Sequence, residues 1–146
     1  LFQNAPYAFE VLIEQMKFYA GFAFITSLTR ELIKDIEDHE GDAAYKVNTF
    51  AVQFGDAAAK WLSVLMMVAL MAGLAYFMHT FFIAGAEKDI QYLGIAVALP
   101  VMATIVLTAI AKEKKDYARI SLILKMIMLL GILSIPAFYL FHHATQ

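Results

Sequence analysis

The chain has 146 residues, 62% of them hydrophobic and 16% charged, with a mean hydropathy of +0.68. Soluble domains carry roughly 45–50% apolar residues, so this composition excludes a water-soluble globular domain and points to a bilayer. The absence of Cys excludes disulfides and thiolate-bound metals, seven Gly and three Pro exclude collagen-like and low-complexity classes, and a net charge of −2 argues against a nucleic acid partner.

A membrane-crossing helix needs ~20 mostly apolar residues. The first predicted span covers residues 7–34, although Glu10, Glu14 and Lys17 interrupt its apolar run. Their spacing puts these three on one helix face, which either turns into a bundle or wet cavity or forms a partly neutralised patch where the helix begins. An acidic connector, 35–55, comes next. The second span, 57–84, has no formal charge from 61 to 84 apart from what His79 can take up, and the third, 90–111, has none before Ala111. The fourth, 118–141, is interrupted within its apolar run only by Lys125, whose long stem can carry its ammonium to the interface. His142 and His143 are adjacent, so they face different ways on a helix and do not make a metal site. No repeat of 20–50 residues and no Ser/Gly/Pro linker divides the sequence, so 1–146 is read as one all-α, multi-span transmembrane bundle of about four helices.

The connectors alternate between two sides. Arg30, Lys34, Lys46, Lys112, Lys114, Lys115 and Arg119 fall on one side, against Lys88 alone in the opposite loop. The positive-inside rule predicts that the basic side is cytoplasmic, in a multi-pass protein of the plasma or inner membrane. The chain opens LFQNAPYAFE, without Met, a basic leader or a small-residue cleavage site, which suggests a piece of a longer chain.

The chemistry concentrates between residues 30 and 46, which hold nine charged residues. Asp35, Asp38 and Asp42 stand at i, i+3 and i+7, stacking three carboxylates on one face of a helix continued from the first span, with Glu31 a turn above. Like charges at this spacing repel and call for a positive partner. Carboxylates suit Mg²⁺, which is held through one or two of them, several waters and often substrate phosphates, and Arg30, Lys34 and Lys46 then fit phosphate oxygens. A solvated, self-neutralising loop accounts for the same charges. Gly41 offers a break at which the chain can bend, turning Asp42 toward the same ion as Asp38.

The segment TRELIKDIEDHEGDAAYKVNTFAVQFG, residues 29–55, resembles the second aspartate-rich motif of the UbiA superfamily of intramembrane prenyltransferases. The features that recur in that order are Arg30, Glu31, Lys34, Asp35, Asp38, Gly41, Asp42, Thr49, Phe54 and Gly55. The stretch DYARISLILKMIMLLGIL near the C-terminus is similar to the family as well. The resemblance implies a nine-helix fold in which two aspartate-rich motifs face one cavity, so a four-span chain matches roughly its C-terminal half. The first motif, NxxxDxxxD, is missing, since neither Asn4 nor Asn48 has Asp four residues on. That implies a missing N-terminal half and a fragment inactive by itself.

What the resemblance implies chemically is Mg²⁺-dependent transfer of a polyprenyl group from a prenyl diphosphate donor to a lipophilic acceptor within membrane lipid. Asp35, Asp38 and Asp42 would hold the metal, Arg30, Lys34 and Lys46 the diphosphate, and Tyr45 would contact the acceptor. Phe18, Tyr19, Phe22 and Phe24 either line a tail channel or simply pack. The acceptor implied is a prenylated glycerol phosphate or an aromatic ring, and the DIEDHEGD form looks more like members acting on prenylated glycerol phosphate or related lipids than like the hydroxybenzoate enzymes. Two other classes compete. A transporter or channel would use Glu10, Glu14, Lys17 and the connector as a cation path. A CDP-alcohol phosphotransferase needs Gly and Ala-Arg after its first DxxD, where His39, Glu40 and Gly41 stand here.

Overall fold

The computed structural model describes the backbone of residues 5–83 and 87–143, and the side chains of residues 13, 14, 16–80, 82, 83 and 87–137. The side chains of Glu10, His142 and His143 lie outside the described residues. Helix α1 runs Ala5–Ala44, a short α2 covers Phe50–Phe54, and α3 spans Asp56–Ile83. The next rod is continuous, from α4 (Glu87–Tyr92) through a π-helical stretch (Leu93–Ala98) into α5 (Leu99–Ile110), and α6 covers Lys114–His143. No strand occurs among the described residues.

Three helical segments are long and apolar enough to cross a membrane, Asp56–Thr80, Glu87–Ile110 and Lys114–Ala137. Helix α1 has the length, with 40 residues, but charges dilute its apolar run. Glu14 and Lys17 form a 2.7 Å ion pair that is exposed to the surroundings and does not face the neighbouring helices. They neutralise each other on a face turned away from the other described helices. At 1.5 Å per residue α1 is about 60 Å long, about twice the ~30 Å hydrocarbon core, so its charged C-terminal third stands clear of the bilayer. The acidic stretch is therefore helix as far as Ala44. Gly41 permits a break but does not impose one, and the helix runs straight through it.

Each long helix buries one narrow stripe at three- or four-residue spacing. On α1 it comprises Phe22, Thr26, Thr29, Ile33 and Ile36; on α3, Ala59, Ser63, Met67, Leu70, Leu74 and Phe77; on α6, Tyr117, Ile120, Leu124, Ile127, Gly131 and Ser134. This is the heptad seam of a left-handed bundle. Helices α1 and α5 each pack against both α3 and α6, so the four rods stand in a square. Lipid tails are as apolar as Leu, and helices in a bilayer associate through close packing of small residues rather than by escaping water. Buried hydroxyls fit that setting where they bond within their own helix, as do Thr26 Oγ1 to the Phe22 carbonyl (2.6 Å), Ser63 Oγ to Ala59 (2.8 Å) and Thr108 Oγ1 to Thr104 (2.8 Å).

The π-helical stretch has a local cause. Pro100 lacks an N–H and its ring would crowd a carbonyl one turn back in a regular α-helix. The preceding turn widens, and the Leu99 N–H reaches the Gly94 carbonyl five residues back.

Aromatic rings fill the half of the bundle away from the acidic stretch. Phe18 stacks on Phe77 with ring centroids 3.7 Å apart. Ser134 Oγ donates to the Gly131 carbonyl (2.6 Å), which leaves Tyr19 O–H to donate to Ser134 Oγ (2.8 Å). The gap enclosed by Phe18, Tyr19, Phe22, Leu74 and Val97 measures only about 10 Å³, no more than one water needs. Phe18, Tyr19 and Phe22 are thus packing residues, and Phe24 is exposed on the outer face.

Phe22 lies directly on Gly131, and a Cβ there would overlap its ring, whereas a Cβ at Gly73 meets nothing. Gly131→Ala is expected to part α1 from α6 and lower stability by about 1–3 kcal/mol, while Gly73→Ala stays near wild type. Thermal unfolding in detergent micelles checks the pair.

Candidate functional site

The last ten residues of α1 carry Asp35, Glu37, Asp38, Glu40 and Asp42, and no basic residue occupies the last turn. A helix C-terminus already carries about half a negative charge from its aligned peptide dipoles. Carboxylates at this end are therefore repelled by the backbone as well as by one another. Lys34 is the main internal counterion, with Nζ 2.9 Å from Asp38 Oδ2 and 4.0 Å from Glu37 Oε2. The pair is half-exposed and has the Lys on the N-terminal side, the weaker orientation, so it contributes only a few tenths of a kcal/mol. Lys34 can exchange this partner at little cost.

The end of α1 is closed by backbone geometry rather than by charge. The Val47 N–H reaches the Asp42 carbonyl (2.8 Å) and the Lys46 N–H reaches Ala43 (3.2 Å), the two bonds of a Schellman cap. That cap places its penultimate residue in the left-handed region, usually as Gly. Here it is Lys46, at φ 56°. A side chain in this region costs about 1 kcal/mol, so the sequence keeps a lysine where glycine would be more stable. Tyr45 beside it is 86% exposed.

Asp35 points to the connector. Its Oδ2 accepts the N–H of Phe50 (3.1 Å), the first residue of α2, where Thr49 Oγ1 accepts the N–H of Val52 (3.4 Å). Burial pushes the Asp35 carboxyl above the usual carboxylate range; the Phe50 N–H pulls it down, and the charges of Asp42, Glu31 and Asp38 add to the rise.

Other residues that fix this end were not singled out from the sequence. His39 Nδ1 donates to Asp56 Oδ1 (2.5 Å), tying α1 to the first turn of α3. Lys60 Nζ (2.9 Å) and Tyr117 O–H (3.3 Å) both donate to the Ala111 carbonyl, joining α3 and α6 to the end of α5. Asp56 directly follows Gly55, a helix-start signal; Lys60 and Tyr117 are marked only by their place at span ends. These bonds put the acidic end of α1 and the Lys112–Arg119 connector at the same end of the bundle.

The structure thus brings Lys34, Asp35, Asp38 and Asp42 together on one face. Arg30 is engaged elsewhere, with Nη1 2.9 Å from Glu31 Oε1. Lys46 and Tyr45 stand exposed in the cap. Among the described residues no three His, Asp or Glu side chains converge to form a cage for a metal ion. Two carboxylates on one face are a sufficient donor set for a divalent cation whose shell is completed by waters and phosphates.

The UbiA prenyltransferase family profile matches residues 11–129. Digeranylgeranylglyceryl phosphate synthase of Methanopyrus kandleri is 30% identical over 119 residues, covering 79% of this chain and 41% of that protein. The proteins of the same name from Methanosphaera stadtmanae (37% over 62 residues, 41% of this chain and 23% of that protein) and Methanobrevibacter smithii (35% over 81 residues, 53% and 29%) are similar too. No solved structure matches. The chain spans less than half the length of these curated relatives. With a match across most of its length, and with the aspartate-bearing helix end within the matched region, the chain belongs to the UbiA prenyltransferase family.

Proposed function

We propose that this chain supplies the second aspartate-rich half of a site that transfers a polyprenyl group from a prenyl diphosphate to a lipophilic acceptor, with prenylated glycerol phosphate as that acceptor. The acceptor follows the names of the three relatives, which are glyceryl phosphate synthases. In this reading the site lies on the cytoplasmic face, and helices bearing an NxxxDxxxD motif complete it; the chain described here is inactive alone. The observation that carries the proposal is the row of carboxylates on the negative end of α1, with weakly held Lys34 as its main counterion. Such an arrangement is poor for stability and well suited to a divalent cation bound to an anionic substrate.

Asp38 and Asp42, four residues apart, hold Mg²⁺. A Mg²⁺ held there would supply Lewis acidity for the departure of the diphosphate. Lys34, released from Asp38, and Lys46, held out in the cap, bind phosphate oxygens and stabilise the charge that develops on them. Arg30 binds the diphosphate from one turn further into the membrane, and Tyr45 contacts the acceptor. The seam between the four helices is filled, so the prenyl tail lies against an outer apolar face, where lipid or further helices exclude water from the allylic cation.

Mg²⁺-dependent transfer of radiolabelled prenyl chain into lipid extract, measured on the full-length protein, tests the proposal. Asp38→Ala and Asp42→Ala are each expected to reduce it by about 100-fold or more, and undiminished transfer in both would overturn the assignment. Lys46→Gly separates stability from function: relief of the left-handed lysine raises stability by about 1 kcal/mol, while KM for the prenyl diphosphate rises.

The pH dependence follows from Asp35. Because its folded carboxyl titrates above the ordinary value, the folded state holds more protons than the unfolded state between the two. The stability associated with this group is thus fully present below the ordinary carboxylate range and is lost as pH rises through the raised folded value. Unfolding of the metal-free protein measured against pH is expected to show this fall, and Asp35→Asn is expected to flatten it.

A further inference from the structure

We infer that Asp35 is a positioning residue that moors the connector to α1, and that it is not a magnesium ligand; the second clause rests on the function proposed above. Helix α2 has five residues, far fewer than the ~12–15 at which an isolated helix becomes even marginal. It exists because its ends are held. At its start Asp35 takes the N–H of Phe50 and Thr49 takes that of Val52; at its finish Gly55, at φ 88°, turns its own N–H back to the Ala51 carbonyl (2.8 Å). Ala51 between them is fully buried. Of these ties only the Asp35 bond reaches across from α1. Residues 45–49, which include Tyr45 and Lys46, are strung between the α1 cap and this anchor.

The three aspartates therefore do different things despite sharing a face. Asp35 already has one oxygen engaged by a backbone N–H. Asp38 is engaged only by Lys34, a weak and exchangeable pair, and the Asp42 carboxylate has no protein partner among the described residues. The pair separated by four residues is left for the cation, and the third carboxylate limits how far Lys46 can move from Asp42.

Asn retains a carbonyl oxygen that accepts the Phe50 N–H but lacks the charge a magnesium ligand needs, so Asp35→Asn separates the two roles. Two measurements on the full-length protein are paired: amide hydrogen exchange of residues 50–54 without metal, and Mg²⁺ affinity by titration calorimetry. Exchange in α3 and α6 reports whether the bundle is intact. Asp35→Ala is expected to speed exchange at Phe50 and Val52 by tenfold or more, and Asp35→Asn to restore wild-type protection. Mg²⁺ affinity in Asp35→Asn is expected within threefold of wild type, against losses of tenfold or more in Asp38→Asn and Asp42→Asn. If Asp35→Asn loses Mg²⁺ as Asp38→Asn does, Asp35 is a ligand and the inference fails. If Asp35→Ala leaves protection at Phe50 and Val52 unchanged, there is no mooring. Should Asp35→Ala not fold, the comparison of the two Asn variants decides alone. A wild type that binds no Mg²⁺ overturns the proposed function instead, and hydrogen exchange then decides the mooring.

Discussion

The negative end of α1 carries five carboxylates within its last ten residues. Backbone dipoles and side chains there have the same sign, and the counterion available, Lys34, is held through a half-exposed contact in the less favourable orientation. Such an arrangement persists only on a helix stabilised elsewhere. The stabilisation comes from the buried stripe of α1, where Phe22, Thr26, Thr29, Ile33 and Ile36 lock into the seam with α3 and α6, reaching into the acidic stretch itself. Burial along one face of a single long rod thus holds electrostatic strain on another.

The same division runs through the bundle. Small and hydroxylated residues allow close approach in the seam, where the hydroxyls of Thr26, Ser63 and Thr108 bond to their own helices. At the charged end the ties are long-range and polar: His39 to Asp56, Lys60 and Tyr117 to Ala111, Asp35 to Phe50. These bonds set the relative position of three helix ends, and with it the face on which the aspartates stand. The seam is filled and the rim is open and charged, which is why the proposed function is placed at the rim.

The all-α multi-span class was legible because uncharged runs near the length of a bilayer are a strong signal, as in residues 90–110. The shared face of Asp35, Asp38 and Asp42 was legible too, since helical periodicity alone gives it. The end of α1 was not. Gly41 looked like the break because glycine permits one, yet the helix stops at the Lys46 cap, whose left-handed backbone has no compositional mark when the residue is a lysine. The aromatic run Phe18, Tyr19 and Phe22 was ambiguous for a related reason. Helical spacing says that residues share a face, and only Gly131 opposite Phe22 shows that the face is filled. The ties from Asp56, Lys60 and Tyr117 join residues far apart in sequence, and no local pattern encodes them.

The lysine in the cap bears on what this end is for. Glycine at position 46 would relieve the backbone at no loss of packing, because the Lys46 side chain is exposed. A purely structural cap gains nothing from the substitution of lysine for glycine. A cap placed four residues beyond Asp42 gains a second cation, beside Lys34, at the mouth of an acidic face, where the proposed function places an anionic substrate. The strain is small, about 1 kcal/mol, and the electrostatic return comes only when an anion is present. A solvated, self-neutralising loop would gain more from basic residues within the last turn of α1 and from glycine in the cap.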